Sequence, residues 1–340
     1  VSHKIALAFE DGITQFIQCD ENQTIADAAY QARINIPFDC RDGACGTCKS
    51  FCEAGDFDEG SFIDDALTED ELESGYLLTC QSKPLSDMVI QIASTSEQAK
   101  TSASLAKGSI RSLERISPGV FKLSLAIEKR DELHYLPGQY INVSVPTWDQ
   151  SRSYSFSCSP SKNEVTFLIK LTPGGLMTEY LKEEAKIGDE LNLVGPMGTF
   201  FLREPLNPIL LLAGGTGLAP ILAILESLSE DELLDVPVRL MYGVTQECDL
   251  VELNKLDAFR DSLPDFDYLT VVSDPDSQHE CKGYVTDHIA PEMLGNGDTD
   301  VYLCGPPLMV EAVRKFLAAQ ENPPQNFYFE KFTSPVSAVS

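Results

Sequence analysis

Cys40-Arg-Asp-Gly-Ala-Cys45-Gly-Thr-Cys48, followed after 31 further residues by a lone Cys80, sets the reading of this chain. Four thiolates spaced C-x4-C-x2-C…C suit a 2Fe-2S cluster, which carries one electron at a time. Three of them must converge on one small anionic group, so the backbone has to curl tightly. Gly43 and Gly46 permit the left-handed or crowded conformations that such a curl needs. Ala44 and Thr47 are small enough to let backbone N–H groups point at the sulfides, and Arg41 sets a cation beside them. A structural zinc site is the competing reading, but zinc ribbons bring two close cysteine pairs, whereas Cys80 stands alone. A disulfide framework belongs to secreted chains, and Val1-Ser-His-Lys-Ile lacks the basic and apolar regions of a signal peptide. Cys40, Cys45, Cys48 and Cys80 are therefore the expected ligands, and the other six cysteines are expected as reduced thiols.

Working outward, residues 3–9 and 13–19 alternate apolar and polar side chains around Asp11-Gly12, a hairpin signal. Thr24 is placed to cap a short amphipathic helix bearing Ile25, Ala28, Ala29 and Ala32, with Asp27 as a short form of the capping-box acid. Residues 94–107 are small and polar without a strand pattern, so a linker is expected over 96–106. Residues 120–127, 140–145, 153–157, 164–170 and 190–194 read as strands between Gly and Pro turns, interrupted by a helix over 176–184. That pattern predicts a small antiparallel β-barrel. After Pro205 strands (209–213, 238–242, 268–272, 301–304, 327–331) alternate with helices (218–228, 251–262, 308–319). Such alternation predicts an α/β domain with a parallel sheet and crossover helices. The expected multidomain division is 1–95, 107–204 and 205–340.

Charge narrows the partners. A net charge of −28 argues against nucleic acid. Residues 1–98 hold 19 acidic side chains against 5 basic ones, and nine carboxylates fall within 56–73. This is either a solvated acidic surface or a docking face that steers a basic redox partner. The 18 uncharged residues 208–225 could be mistaken for a membrane span. Gly214, Gly215, Gly217 and Pro220 interrupt them and Glu204 and Glu226 flank them, so a strand–loop–helix fits better. A cytoplasmic location is expected.

Arg152-Ser-Tyr154-Ser155 could supply a flavin with a cation for its phosphates, an aromatic wall and a hydroxyl near N5. Gly174-Gly175-Leu176-Met177-Thr178 opens a helix, a place suited to a pyrophosphate. Gly214-Gly-Thr-Gly-Leu-Ala-Pro220 follows a strand and could bring backbone N–H groups to a nucleotide. Cys304-Gly305-Pro306-Pro307 ends another strand, where open α/β sheets bind their ligands. The loop 243–250 has no basic residue and carries Glu247 and Asp249, which favours the free ribose hydroxyl of NADH over the phosphate of NADPH.

These motifs, in this order, resemble the ferredoxin–NADP reductase family, and residues 1–95 resemble the β-grasp of plant-type ferredoxins. The three-part chain as a whole resembles the reductase components of bacterial aromatic-ring oxygenases, of the benzoate 1,2-dioxygenase kind. The resemblance implies Ser155, Cys304 and Glu330 beside flavin N5 and the nicotinamide, with Phe332 over the flavin and a tail from Thr333 to Ser340 beyond it. It implies Arg152, Tyr154, Ser155, Lys170 and residues Gly174 to Thr178 at FAD, and Gly215, Thr216, Gly217, Pro220, Asp249, Gly305 and Pro306 at NADH. The implied electron path runs from NADH through FAD and the 2Fe-2S cluster to a Rieske-type terminal oxygenase, with the reductase a monomer. Reductases of monooxygenases and of deoxysugar synthesis share the layout, as does a stand-alone diaphorase. A non-catalytic carrier module is the alternative of another class, against which Arg152, Ser155, Cys304 and the glycine loop argue.

Overall fold

The hairpin expected around Asp11-Gly12 is present in the computed structural model, which describes residues 2–32, 34–37, 43, 46–64, 66–96, 99, 104–146, 148 and 150–332. β1 (Ser2–Phe9) and β2 (Thr14–Asp20) pair antiparallel, and Gly12 N donates to Phe9 O across the turn. α1 (Ile25–Gln31) starts where expected, with Thr24 Oγ1 accepting from Asp27 N at 3.3 Å. Then come β3 (Lys49–Ala54), β4 (Phe57–Asp58) and α2 (Glu69–Glu73), the last held by a full capping box between Thr68 and Glu71. β5 (Tyr76–Leu78), β6 (Lys83–Pro84) and β7 (Met88–Ile92) complete this part. The sheet runs β2-β1-β7-β3-β5, with β7 parallel to β1, and Ile25, Ala28 and Ala29 of α1 pack into a core with Ile5, Leu7 and Ile90. A mixed sheet closed over one helix is the expected β-grasp.

The chain divides into two compact units that meet in sequence between Ser104 and Leu105. Parts of the expected linker belong to regular structure. Asp11 Oδ2 accepts from both N and Oγ of Ser96, and Ala99 is buried in the first core. Residues 97–98 and 100–103 lie outside the described residues.

In the second unit, β8 (Ser104–Ser117) was not expected. Its register shifts between Ile110 and Ser112 and again between Arg115 and Ser117. Each bulge resets the two-residue alternation, so no strand period survives in the sequence. β9 (Val120–Ile127), β10 (Tyr140–Ser144), β11 (Ser151–Ser155), β12 (Glu164–Lys170) and β13 (Glu190–Met197) follow. The order is β11-β10-β13-β8-β9-β12, and a bridge between Phe156 and Phe167 closes β11 onto β12. The helical stretch is α3 (Leu176–Glu179) running into a wider π turn, Tyr180–Glu184, that buries Tyr180 and Leu181 in the barrel core.

The remaining lobe comprises β14 (Ile209–Gly214), α4 (Leu218–Ser229), β15 (Val238–Val244), α5 (Leu253–Ser262), β16 (Phe266–Val272), β17 (Asp300–Gly305), α6 (Pro307–Ala318) and β18 (Asn326–Lys331). The sheet order is β16-β15-β14-β17-β18, and the pairings are parallel. β14 is buried on both faces, which is why it reads as an unbroken apolar run. Ile209, Leu211 and Ala213 face α4 and α5, while Leu210 and Leu212 face Val310 and Val313 of α6. The α4 face also receives Val120, Leu168 and Phe200 from the barrel. Among the described residues no helix is long and apolar enough to cross a membrane.

Candidate functional site

The chain passes from β14 to β15 and β16 on one side, and then returns from β16 to β17 on the other side of β14. The crevice at the carboxyl ends of β14 and β17 is the switch point where open α/β sheets take ligands. Both glycine motifs meet there. A Cβ on Gly217 would lie 2.2 Å from Cys304 O, and one on Gly214 would lie 2.4 Å from Met309 Sδ and 2.7 Å from Pro306 Cδ. These two glycines therefore serve first to let the 214–217 turn lie against the Cys304–Pro306 corner. Gly305 is buried in the same seam, whereas Gly215 and Thr216 are half exposed at its mouth and Pro306 is exposed. Pro220 lies buried inside the first turn of α4, so it shapes that turn and presents nothing to a ligand.

Cys304, Glu330 and Ser155 converge at this corner. Cys304 and Glu330 are register partners across β17 and β18. Ser155, the last residue of β11, donates from Oγ to Glu330 Oε2 at 3.4 Å. Burial, and then the Glu330 carboxylate, raise the Cys304 thiol well above its usual range, so it stays protonated. It can donate a weak hydrogen bond and pack; it is no thiolate nucleophile. Alternation along β18 sends Tyr328 and Glu330 to the barrel side, and Phe332 follows them there with its N–H on Gly305 O at 2.9 Å. Lys331 points the other way, to Glu311 of α6 at 2.8 Å. Residues 333–340 lie outside the described residues.

On the barrel side, Arg152 is half-buried, with Nη1 donating to Ser151 O and Nη2 to Gln150 Oε1. Tyr154 packs its ring at 6.5 Å from that of Phe167, and burial raises its phenol. Lys170 is exposed at the end of β12. At the start of α3, Met177 is buried in the barrel core, Leu176 packs against it, and Thr178 Oγ1 accepts from Thr172 N at 2.9 Å. Those side chains face inward, so what 174–178 offers a phosphate is backbone. No atom lies within 4 Å of where a Gly174 side chain would begin, which leaves room for one.

The two acids of the loop after β15 diverge. Asp249 Oδ1 is the neighbour of Gly119 in the barrel turn, 3.6 Å from where a Cβ would stand. Glu247 is exposed and accepts from Ser277 Oγ at 3.4 Å. Asp249 was the expected ribose partner; its direction in the short turn Glu247–Asp249 leaves Glu247 the acid open to solvent.

In the first unit, Cys48 and Cys80 are both buried and are tied together by Thr79, whose N and Oγ1 donate to Cys48 O at 3.2 and 3.3 Å. Gln81 Nε2 approaches Cys80 Sγ at 3.8 Å. Gly43 and Gly46 both have positive φ, and a Cβ on Gly43 would fall 2.3 Å from Ser61 O. Such crowding and the buried thiols suit the tight cradle of a cluster. Cys40, Arg41, Ala44 and Cys45 lie outside the described residues.

Family models match in the same order. A 2Fe-2S iron-sulfur cluster binding domain covers residues 8–85, an oxidoreductase FAD-binding domain 107–202 and an oxidoreductase NAD-binding domain 211–315. The toluate 1,2-dioxygenase electron transfer component of Pseudomonas putida is 49% identical over 335 residues, covering 98% of this chain and 99% of that protein. The 2-halobenzoate 1,2-dioxygenase electron transfer component of Burkholderia cepacia is 47% identical over the same shares. A crystal structure of a cytochrome P450 reductase from Amycolatopsis superposes with a TM-score of 0.73 at 28% identity, covering 97% of this chain and 99% of that one. The chain belongs to the electron transfer components of aromatic-ring dioxygenases, reductases that join 2Fe-2S, FAD-binding and NAD-binding domains in one polypeptide.

Proposed function

We propose that this protein passes electrons from NADH to the Rieske-type terminal oxygenase of an aromatic-ring dioxygenase acting on a benzoate-like substrate, as a monomer in the cytoplasm. The observation that carries the reading is the meeting of Ser155 from the barrel with Cys304 and Glu330 from the nucleotide lobe. A site shared by two lobes is what hydride transfer between two bound cofactors needs, because each cofactor can be held by one lobe. Bound together, the flavin, the nicotinamide and the cluster supply hydride acceptance and the export of electrons one at a time.

The chain's own part is positioning. Arg152 and the 174–178 backbone would hold the flavin phosphates, with Tyr154 behind the ring system and Lys170 at the margin. Ser155 holds its hydroxyl proton on Glu330 and can turn it toward a neighbouring ring nitrogen. Protonated Cys304 adds no second negative charge beside Glu330, and Phe332 lines the corner. Gly215, Thr216, Gly217, Gly305 and Pro306 would receive the nucleotide, with Glu247 favoured over Asp249 for the ribose. Cys40, Cys45, Cys48 and Cys80 would ligate the cluster within a domain of residues 1–95, and carboxylates of 56–73 would steer the oxygenase.

The test is reconstitution with terminal oxygenases, scoring oxygen uptake with benzoate and its analogues, alongside cytochrome c reduction with each nucleotide. NADH should outperform NADPH by far. Comparable rates with both would overturn the electrostatic argument, and failure with every aromatic-ring oxygenase would overturn the partner.

A further inference from the structure

Beyond Ser155 the chain continues Ser155-Phe156-Ser157-Cys158-Ser159, a strict alternation of polar and apolar residues. Phe156 and Cys158 enter the barrel core, while Ser155, Ser157 and Ser159 are all buried on the other side. At each of the three positions the nucleotide lobe takes hold. Ser155 reaches Glu330; Ser157 O accepts from Lys255 Nζ of α5 at 3.4 Å; Ser159 N donates to Glu226 Oε2 at 2.6 Å and its Oγ to Glu230 Oε2 at 2.7 Å. Lys255 also pairs with Glu226 at 2.9 Å, and Glu230 Oε1 accepts from Ser161 Oγ at 2.7 Å and Lys162 Nζ at 3.1 Å.

Two acids at this place are electrostatically awkward. Glu226 lies in the last turn of α4 and Glu230 caps its carboxyl end, where the helix dipole disfavours negative charge. Burial raises the Glu230 carboxyl, yet hydrogen bonds from Ser159, Ser161 and Lys162 outweigh it and hold the group below its usual range. The opposite end of the same helix begins at Gly217, against Cys304. At 1.5 Å per residue α4 is a strut about 18 Å long. One end touches the corner where Cys304 sits, and the other grips Ser159, four residues beyond the end of the barrel strand that carries Ser155.

We propose that Glu226 and Glu230 are positioning residues for hydride transfer: by holding Ser159 they fix where the Ser155 strand stands along the nucleotide lobe, and so hold Ser155 against Glu330 and Cys304. This rests on the reading of those three residues as the hydride-transfer site.

The test uses the holoprotein. Glu226→Leu should lower the rate of flavin reduction at saturating NADH by about 10-fold or more, since misplacements near 1 Å at a reacting centre cost up to about 100-fold. Flavin content and NADH affinity should stay within about 2-fold, because Glu226 lies at the opposite end of α4 from Gly217 and is none of the residues placed at either cofactor. Independently of activity, hydrogen exchange of the peptide 155–162 should quicken by about 10-fold, and Glu226→Gln, which keeps an acceptor for Ser159 N, should recover most of the protection. In a Ser155→Ala background, Glu226→Leu should have little further effect, the signature of two residues acting through one geometry. If Glu226→Leu does not fold, Glu230→Ala at the more exposed end, which removes the acceptor for Ser159 Oγ, carries the same expectations at smaller size.

Multiplying effects of Glu226→Leu and Ser155→Ala, or unchanged exchange, would overturn the positioning role. A slowed Ser155→Ala beside a Glu226→Leu at native rate would overturn it while sparing the site. Ser155→Ala at the native rate would overturn the site and the positioning role together.

Discussion

Replacing Gly217 by alanine sets two effects against each other. Gly217 has φ −59° and ψ −9°, already helical, at the cap of α4. Alanine carries no backbone strain there, and by helix propensity alone it would gain about 1 kcal/mol. Its Cβ would, however, begin 2.2 Å from Cys304 O and 2.6 Å from Cys304 C. A carbon–oxygen contact relaxes only at about 3.3 Å, so α4 and β17 would have to part by about 1 Å. Both contacting atoms are backbone inside a packed layer, and no side chain can swing aside. Overpacking of this kind costs about 1–3 kcal/mol, leaving a net loss of about 0–2 kcal/mol after the propensity gain, or up to about 8 °C in melting temperature for a unit of this size. The atoms displaced belong to the corner that faces Ser155, so flavin reduction by NADH should slow by about 10–100-fold. Calorimetry and stopped-flow reduction read the two quantities separately. Gly215→Ala is the control for the melting temperature alone: its φ is +55° and no protein atom lies within 4 Å of the added carbon, so the loss of stability should be only the strain of about 1–2 kcal/mol. A Gly217→Ala protein that melts no lower than the native one and is reduced at the native rate would refute the seam.

Two further expectations follow from other parts of the molecule. Burial raises the Glu311 carboxyl, but Lys331 and then Arg314 more than offset this and hold it below its usual range. A carboxyl lowered on folding stabilises the protein above its unfolded pKa, about 4.3, and that contribution is lost as pH falls through the folded value. Lys331→Met should therefore cost about 1–3 kcal/mol at neutral pH, and the gap should close in urea melts below about pH 4; a gap constant across that range would dismiss the ion pair. Cys80→Ser should abolish the cluster's visible spectrum and cytochrome c reduction while sparing ferricyanide reduction, and loss of both activities would reverse the electron order.

Strands whose pattern survives contact with their neighbours were legible from the residues: 120–126 and 164–170 pair one to one without a shift. β8 was not, because its two bulges cancel the alternation that a strand would otherwise print. The helix over 176–184 was legible as a helix but not as a π turn, since that widening answers to burial of Tyr180 and Leu181 in the barrel. In the candidate site, motifs and resemblance singled out Ser155, Cys304 and Glu330, but no local period links residues whose contact is tertiary. Glu247 and Asp249 look alike in sequence, and only the direction of a short turn separates them. Glu226 reads as an ordinary helix acid until the barrel's Ser159 is laid against it.

Ser155 and Glu330 are 175 residues apart, and β18 forms the rim of its sheet. At roughly 5–20 residues per second, synthesis reaches the barrel strand many seconds before it reaches Glu330. The barrel can close, and even take up its flavin, while the growing chain still has no partner for Ser155. On the proposed reading, a nascent reductase therefore has no hydride-transfer corner until β18 docks.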